Sequence, residues 1–357
     1  MENRFHSLKI KDIHRTTQSC SIISFDVPET LSETFEFIQG QYLTLKAEIN
    51  GEEVRRSYSI CSSPLDEELK VGIKRIEDGK FSTYATQVLE VGDTVEVMPP
   101  NGKFFKNIEP ETQKNYLGIA AGSGITPIYS ILKTHLLKEP NSTFTLLYIN
   151  QNANTVILKD ELEGLKNQFL ERVKIYHFLT KQSREIPLFN GRITTEKLDV
   201  IFDKLLNLED INDIFLCGPE QMIFLVKDYV TAKGFGKDNV HFELFSTGDN
   251  KEAEKRKAAY QKTGKVCDVT IREGGKTFDF KLPFGGDNLL DAAIANAADL
   301  PFACKGGVCC TCKAKVLEGE VDMLVNYALE PEEVEEGFIL TCQAMPVSER
   351  VVVDFDF

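Results

Sequence analysis

Nine cysteines occur in this chain of 357 residues, and four of them fall into a metal-binding spacing. Cys304, Cys309 and Cys312 read C-x4-C-x2-C, and Cys342 follows after 29 intervening residues. Three thiolates on a tight loop with a distant fourth is the spacing of a plant-type [2Fe–2S] cluster. Zinc is the rival occupant, but zinc sites usually come as two C-x2-C knuckles, and only one exists here. Such a cluster carries one electron at a time, so the remaining chain must account for where electrons come from and go. Gly306 and Gly307 suit the loop, because backbone N–H groups have to turn toward the sulfurs. The other cysteines (Cys20, Cys61, Cys217, Cys267 and Cys310) are scattered. An odd count in a long chain without an apolar leader argues against a disulfide framework.

Two glycine turns come earlier. Ala120-Ala121-Gly122-Ser123-Gly124-Ile125-Thr126-Pro127 follows the apolar stretch YLGIA and precedes a helical pattern. Glycines let backbone approach a pyrophosphate, and the helix start offers unpaired N–H groups. Pro127 stands where the G-x-G-x-x-G fingerprint has its last glycine, so a plain strand-to-helix turn would read the same way. Cys217-Gly218-Pro219 likewise ends the apolar strand DIFL before a helix; a buried cysteine packed as a small hydrophobe is the alternative. On a predicted strand, Arg56-Ser57-Tyr58-Ser59 sets a flat aromatic beside hydroxyls and a guanidinium, which could hold a flavin. Gly79-Lys80-Phe81-Ser82-Thr83 opens a helix, read as capped by serine, and makes a second anion site.

The elements that must position these residues divide the chain. Residues 1–108 read as short alternating or β-branched strands (SIISFDV, QYLTLKAEI, LKVGIKRI) broken by turns, which predicts an antiparallel β-barrel or sandwich with one helix at Phe81–Leu89. Residues 112–245 alternate apolar strands with amphipathic helices, the pattern of a parallel sheet covered on both faces. Residues 246–264 are polar and charge-dense, a linker with at most a short exposed helix. Residues 265–357 form a small mixed β fold around the cluster loop, with a helix in DNLLDAAIANAA.

Hydrophobic content of 42% and charged content of 27% are those of a globular protein. The charged N-terminus lacks a secretory core and no apolar run is long enough to span a bilayer, so a cytoplasmic protein without membrane contact is expected. Of the net charge of −14, Lys265–Phe357 carries −9, from 8 basic and 17 acidic residues. That excludes a nucleic-acid surface and favours docking on a basic redox partner, with a merely solubilising acidic surface as the alternative.

Together the motifs resemble the ferredoxin–NADP reductase superfamily: a flavin barrel with R-x-Y-S and a later G-x-x-S turn, then G-x-G-x-x-P and C-G-P, then a fused plant-type ferredoxin. The segments CKGGVCCTCKAKVLEGEVDM and YINQNANTVILKDEL are similar to reductase subunits of bacterial multicomponent oxygenases. The resemblance implies an FAD barrel, a nicotinamide domain and a β-grasp-like ferredoxin domain. Electrons would pass from NADPH (NADH remaining open) through FAD and the [2Fe–2S] cluster to a partner oxygenase. A ring-hydroxylating oxygenase, steroid hydroxylase or desaturase could be that partner, and a redox-sensing binding protein is the reading from another class. In the family's terms Tyr58 stacks on the flavin ring, Ser59 bonds near its N5 and Arg56 pairs with the pyrophosphate. Ser82 in the Lys80–Phe81–Thr83 turn meets the phosphates, with Lys74 a further candidate. Gly122, Gly124, Thr126 and Pro127 line the nicotinamide path, with Cys217, Gly218 and Pro219 near the nicotinamide ring. Glu243 and Phe245 close the flavin site, or else simply belong to a final sheet strand. Thr180, Lys181 and Arg184 offer cations for a 2′-phosphate, or are solvated loop charges; Gln151 stands where many relatives carry arginine. Cys310 is left outside the ligand set, and the five histidines are read as structural or exposed.

Overall fold

A computed structural model describes residues 4–245 and 251–357. The chain divides into two compact units, ending and beginning at Phe245 and Ser246. In the first, six antiparallel strands, β1 (His6–Thr17), β2 (Cys20–Asp26), β3 (Tyr42–Ile49), β4 (Glu52–Ser59), β5 (Leu69–Lys74) and β6 (Thr94–Val97), are ordered β4-β3-β6-β1-β2-β5. A bridge between Ile60 and Val71 brings the two edges together and closes the barrel. Its interior is filled by Leu8, Ile23, Leu43, Ile60, Val71 and Phe81, each at most 1% exposed. Helix α1 (Lys80–Gln87) plugs one end of this core.

The same unit continues as an α/β layer. Strands β7 (Asn115–Ala121), β8 (Thr143–Asn150), β9 (Val173–Leu179), β10 (Asp213–Gly218) and β11 (Val240–Leu244) form a parallel sheet in the order β11-β10-β7-β8-β9. Helices α2 (Ile125–Lys138), α3 (Lys159–Gln168), α4 (Thr195–Lys204) and α5 (Glu220–Ala232) connect its strands. Strand β7 is flanked by β8 on one side and β10 on the other, so the chain reverses its winding there. In open α/β sheets ligands bind at such a switch point, beyond the carboxyl ends of the strands. One hydrophobic core runs across the boundary of barrel and sheet: Cys20, Ile22, Cys61 and Phe104 pack with Tyr116, Ile125, Ile128 and Cys217. The intervening segment is stitched down by Gln39 Nε2 donating to the Lys106 carbonyl (2.9 Å) and by the Glu109 N–H donating to Glu139 (2.9 Å).

The second unit opens with α6 (Lys251–Gln261), followed by β12 (Val266–Glu273), β13 (Lys276–Pro283), α7 (Leu289–Ala295), β14 (Lys313–Glu318), β15 (Val321–Met323), α8 (Pro331–Glu335), β16 (Phe338–Leu340), β17 (Ala344–Pro346) and β18 (Arg350–Asp354). Its main sheet runs β13-β12-β18-β14-β16, mixed through the parallel β12–β18 pair, with β15 and β17 as a separate ribbon. Asn288 caps α7 by accepting the Asp291 N–H at 2.8 Å, as its side chain type favours. The linker expected over residues 246–264 needs correction where it is described; residues 246–250 lie outside the described residues. Residues 251–261 form a helix that is docked rather than free, with Ala253 buried and Arg256 and Tyr260 hydrogen-bonded into this unit. Among the described residues no helix is long and apolar enough to cross a membrane.

Candidate functional site

Strand β4 delivers Arg56, Ser57, Tyr58 and Ser59 to the barrel rim by pairing with β3, Tyr58 opposite Leu43 and Ser59 opposite Tyr42. The pleat alternates their directions. Arg56 is exposed and its Nη1 donates to the Arg55 carbonyl (2.7 Å), and Ser57 shares a hydrogen bond with Thr44 (3.2 Å). Tyr58 rests on Phe81 with ring centroids 5.7 Å apart, and burial pushes its hydroxyl pKa up, against the pull of Arg56. The buried Ser59 donates from Oγ to Glu243 Oε2 at 2.7 Å, joining barrel and parallel sheet across 184 positions of sequence. Glu243 lies opposite Cys217 in the β10–β11 register. Ser59, Glu243 and Cys217 thus stand together, with Tyr58 next to Ser59 on the same strand. Burial pushes the Glu243 carboxyl up to about 7, opposed by the Ser59 hydrogen bond.

The switch point places the glycine turn directly above β10. Gly122–Gly124 form a single 3-10 turn that leads into α2. A Cβ on Gly124 would stand 2.2 Å from the Cys217 carbonyl oxygen, so only glycine lets the two turns approach this closely. Replacing Gly124 with alanine is expected to cost about 1–3 kcal/mol through forced backbone movement. The exposed Gly164 of α3 has open space around its Cβ position, and alanine there should stabilise by about 0.5–1 kcal/mol. Chemical denaturation of both variants measures the contrast. Lys74, at the end of β5, brings its Nζ to 3.3 Å from the corresponding Cβ position on Gly122, and Tyr148 Oη donates to the Gly122 carbonyl at 3.0 Å.

Several expected ligands are placed differently. Cys217 is fully buried and its thiol pKa is driven up by burial and by the charge of Glu243, so it forms the floor of the site rather than its surface. Thr126 is 1% exposed, its hydroxyl donating to the Ser123 carbonyl (2.9 Å) and its methyl lying against Gly72 of β5. Pro127 is also buried, in the first turn of α2, so both residues fix the helix against the barrel. Phe81 belongs to the barrel core. The cap of α1 is Gly79 rather than a serine, and no side chain caps it. Ser82 Oγ instead accepts the Ile76 N–H (3.3 Å) and donates to the Gly79 carbonyl (3.2 Å), while Lys80 is paired with Glu52. In the Gly79–Thr83 turn, backbone N–H groups are therefore the better donors to an anion. Gly218 ends β10 beside Ala121 and Pro219 is the N-cap of α5, while Phe245 is 42% exposed just beyond β11.

Thr180 and Lys181 extend β9 through N–H bonds to the Asn150 and Gln151 carbonyls, both 2.8 Å. Lys181 is exposed. Arg184 is tied back, Nη1 donating to the His177 carbonyl at 2.9 Å, and it lines a cavity of about 550 Å³ with Lys159, Gln182 and Phe189. His177 also lines this cavity, its Nδ1 buried without a partner among the described residues and its pKa lowered by burial. Sequence periodicity carries no signal for that histidine, since it alternates within β9 like any strand residue.

In the second unit the cysteine loop and Cys342 come together. Cys304 and Cys309 have sulfurs 3.1 Å apart, and Cys342 is a hydrogen-bonding neighbour of both Cys304 and Cys312. Cys304 also accepts the Gly306 N–H at 3.3 Å, a backbone bond of the kind that supports a thiolate ligand. Among the described residues no three His, Cys, Asp or Glu side chains gather as ligands of a single metal ion. The sulfurs follow one another as Cys309–Cys304–Cys342–Cys312, an order that fits ligands shared between two irons. Cys310 turns away, with its sulfur 3.2 Å from the Ala328 carbonyl.

Comparison with known proteins agrees with this division. Residues 7–105 match the oxidoreductase FAD-binding domain, 119–228 the oxidoreductase NAD-binding domain, and 271–347 the 2Fe-2S iron-sulfur cluster binding domain. The chain is 42% identical to the E component of 1,2-phenylacetyl-CoA epoxidase from Escherichia coli (strain K12), over 99% of this chain and 98% of that protein. It is 31% identical to the ferredoxin reductase component of 3-ketosteroid-9-alpha-monooxygenase from Rhodococcus rhodochrous, over 96% and 94% of the two chains. Its fold is shared with phthalate dioxygenase reductase, at a TM-score of 0.61 and 22% identity over 98% of each chain. The chain therefore belongs to the ferredoxin–NADP reductase superfamily, in the family of oxidoreductases that join FAD- and nicotinamide-binding domains to a C-terminal [2Fe–2S] ferredoxin domain.

Proposed function

We propose that this reductase draws electrons from NADPH and delivers them to the oxygenase component of a multicomponent system in the cytoplasm, an epoxidase acting on phenylacetyl-CoA. The partner assignment rests on the extent of the 42% identity to a component of that epoxidase. The observation that carries the reductase reading is the Ser59–Glu243 hydrogen bond, which sets the flavin-binding rim against the switch point of the nicotinamide sheet. When bound, the flavin takes an electron pair from the nicotinamide as hydride and the cluster carries electrons onward singly.

The chain's own residues supply positioning and charge. The exposed guanidinium of Arg56, with Nη1 on the Arg55 carbonyl, still presents Nε and Nη2 as paired N–H donors to a pyrophosphate. Tyr58, braced on Phe81, is fixed for stacking. Glu243 can hold a proton at Oε2 beside Ser59 near neutral pH, where its carboxyl is raised to about 7. Lys74 and the start of α2 place positive charge over Gly122. Cys304 with Cys309 and Cys312 with Cys342 are the two ligand pairs, and Cys310 stays outside. We read the domains as 1–108, 112–245 and 265–357, with α6 (Lys251–Gln261) packed onto the last of them rather than serving as a free connection. The −9 charge of Lys265–Phe357 suits a partner with a basic docking face.

Of the two exposed cations, Lys181 is the one assigned to the 2′-phosphate, because Arg184 already donates from Nη1 to the His177 carbonyl. Replacing Lys181 with alanine should lower the NADPH-over-NADH ratio of kcat/KM about tenfold, equivalent to about 1.4 kcal/mol. An unchanged ratio would remove Lys181 from the site. The reading as a whole is tested by anaerobic titration with NADPH and NADH, followed by absorbance and EPR. Bleaching of the flavin followed by a reduced-cluster signal is the expected result; flavin- and iron-replete protein that does neither is no reductase.

A further inference from the structure

Arg256 stands on α6, the helix that opens the second unit, and not on the cluster loop. Its planar fork makes three bonds into one short stretch of chain. Nη1 donates to Asp322 Oδ1 at 2.9 Å, and Nη2 donates to the carbonyls of Met323 (2.9 Å) and Leu324 (2.8 Å). Tyr260, one turn further along α6, donates to Asp322 Oδ2 at 2.8 Å, and Gln261 donates to the Gly285 carbonyl at 2.7 Å.

The stretch so gripped is β15 and the residues after it, and these form a wall of the cysteine loop. Met323 pairs with Ala344 in β17, two residues beyond Cys342. The Leu324 N–H donates to the Gln343 carbonyl at 2.9 Å, and Gln343 Nε2 donates to the Lys305 carbonyl at 2.9 Å, the residue after Cys304. The Tyr327 N–H donates to the Gly307 carbonyl at 3.0 Å. A Cβ on Gly307, whose φ is +73°, would stand 2.8 Å from the Val325 carbonyl, so the two segments are in close contact. Hydrogen bonds, backbone ones and one from the Gln343 side chain, thus lead from the Arg256 fork to the neighbours of Cys304 and Cys342.

The ion pair itself is half-exposed, with Arg256 at 38% and Asp322 at 19%, and contributes little as a charge interaction. What it supplies is geometry. Two adjacent carbonyls and a carboxylate held by one rigid fork fix the direction of β15 in a way that a lysine ammonium cannot reproduce.

We propose that Arg256 is a positioning residue of the iron–sulfur site: it clamps residues 322–325 against the cysteine loop, so that the helix following the connection between the units also holds the wall of the cluster. The proposal rests on the ligand set Cys304, Cys309, Cys312 and Cys342. It extends the support of that site to a residue 48 positions before the first ligand.

The test uses full-length, iron- and flavin-replete protein. Arg256→Met is expected to shift or broaden the g-values of the dithionite-reduced cluster and to speed its bleaching by a chelator about tenfold, the low end of what losing a ligand's supporting partner costs. Arg256→Lys should fall between Arg256→Met and the native chain, and it keeps the helix if methionine does not. Lys281→Met, which removes an exposed pair with Asp268 in the same unit, should leave both readouts unchanged. Flavin reduction by NADPH should be the same in all four proteins. Native line shape and native bleaching rate in both Arg256 variants would overturn the proposal. Absence of any [2Fe–2S] signal from the native chain would instead overturn the ligand set.

Discussion

Replacing Cys342 with serine should leave a protein that still binds flavin and is still reduced by NADPH but delivers almost no single electrons. Reduction of cytochrome c should fall by more than about 100-fold, the most that loss of a supporting partner costs, because here a ligand itself is lost. The reduced protein should show no [2Fe–2S] EPR signal, and its visible spectrum should be that of flavin alone. Cys342 is the informative choice because it is the one proposed ligand outside the 304–312 loop, reached by β16 and tied through Thr341, whose N–H and hydroxyl both donate to the Cys312 carbonyl. Cys310→Ser is the companion variant. Its sulfur points to the Ala328 carbonyl, so cluster content and turnover should remain native. Loss of the cluster in Cys310→Ser, or its retention in Cys342→Ser, would contradict the ligand set.

The second large effect is in pH. The Glu243 carboxyl is raised from 4.5 to about 7 by burial. Its folded pKa lies above its unfolded one, so the stability it contributes is fully present below about pH 4.5 and is lost as pH rises through about 7. After allowance for the solvent that reaches this half-buried group, the loss amounts to about 2 kcal/mol. Glu243→Gln keeps an acceptor for Ser59 and cannot titrate, so this contribution to the pH slope should vanish. Denaturant unfolding at pH 5 and pH 8 measures the difference between native and variant proteins. The pH profile of NADPH-dependent ferricyanide reduction should lose its inflection near 7 in the same variant. An inflection that persists in Glu243→Gln would assign the proton to another group.

The site was legible from sequence to unequal depth, and the reasons are physical. Cysteine spacing carries a chemical constraint of its own, because thiolates so closely spaced must share a loop. The strand–glycine–helix turns at Gly122 and Cys217 were readable for a similar reason, since each is local. What joins them is not local. The 2.7 Å bond from Ser59 to Glu243 and the register that sets Cys217 beside Glu243 depend on the order β11-β10-β7-β8-β9, which periodicity does not encode. Burial of Thr126 and Phe81 was missed, and that of Cys217 stood only as an alternative, for the same reason: a residue type suited to a ligand is equally suited to a core. The polar composition of residues 251–261 correctly indicates a weak helix face. It does not reveal that Arg256 and Tyr260 find their acceptors on β15 and the residue after it.

The core shared by Cys20, Ile22, Cys61 and Phe104 with Tyr116, Ile125, Ile128 and Cys217 has a bearing on how such chains can be recombined. A cut between residues 108 and 112 would split one apolar interior and leave a raw face on either side. A cut between Phe245 and Lys251 falls where the compact units divide, and it leaves α6 with the residues it grips. The modular seam of this reductase therefore lies at that junction. The ferredoxin is a cassette that travels with its own clasp, whereas the flavin and nicotinamide halves are inherited as a single piece.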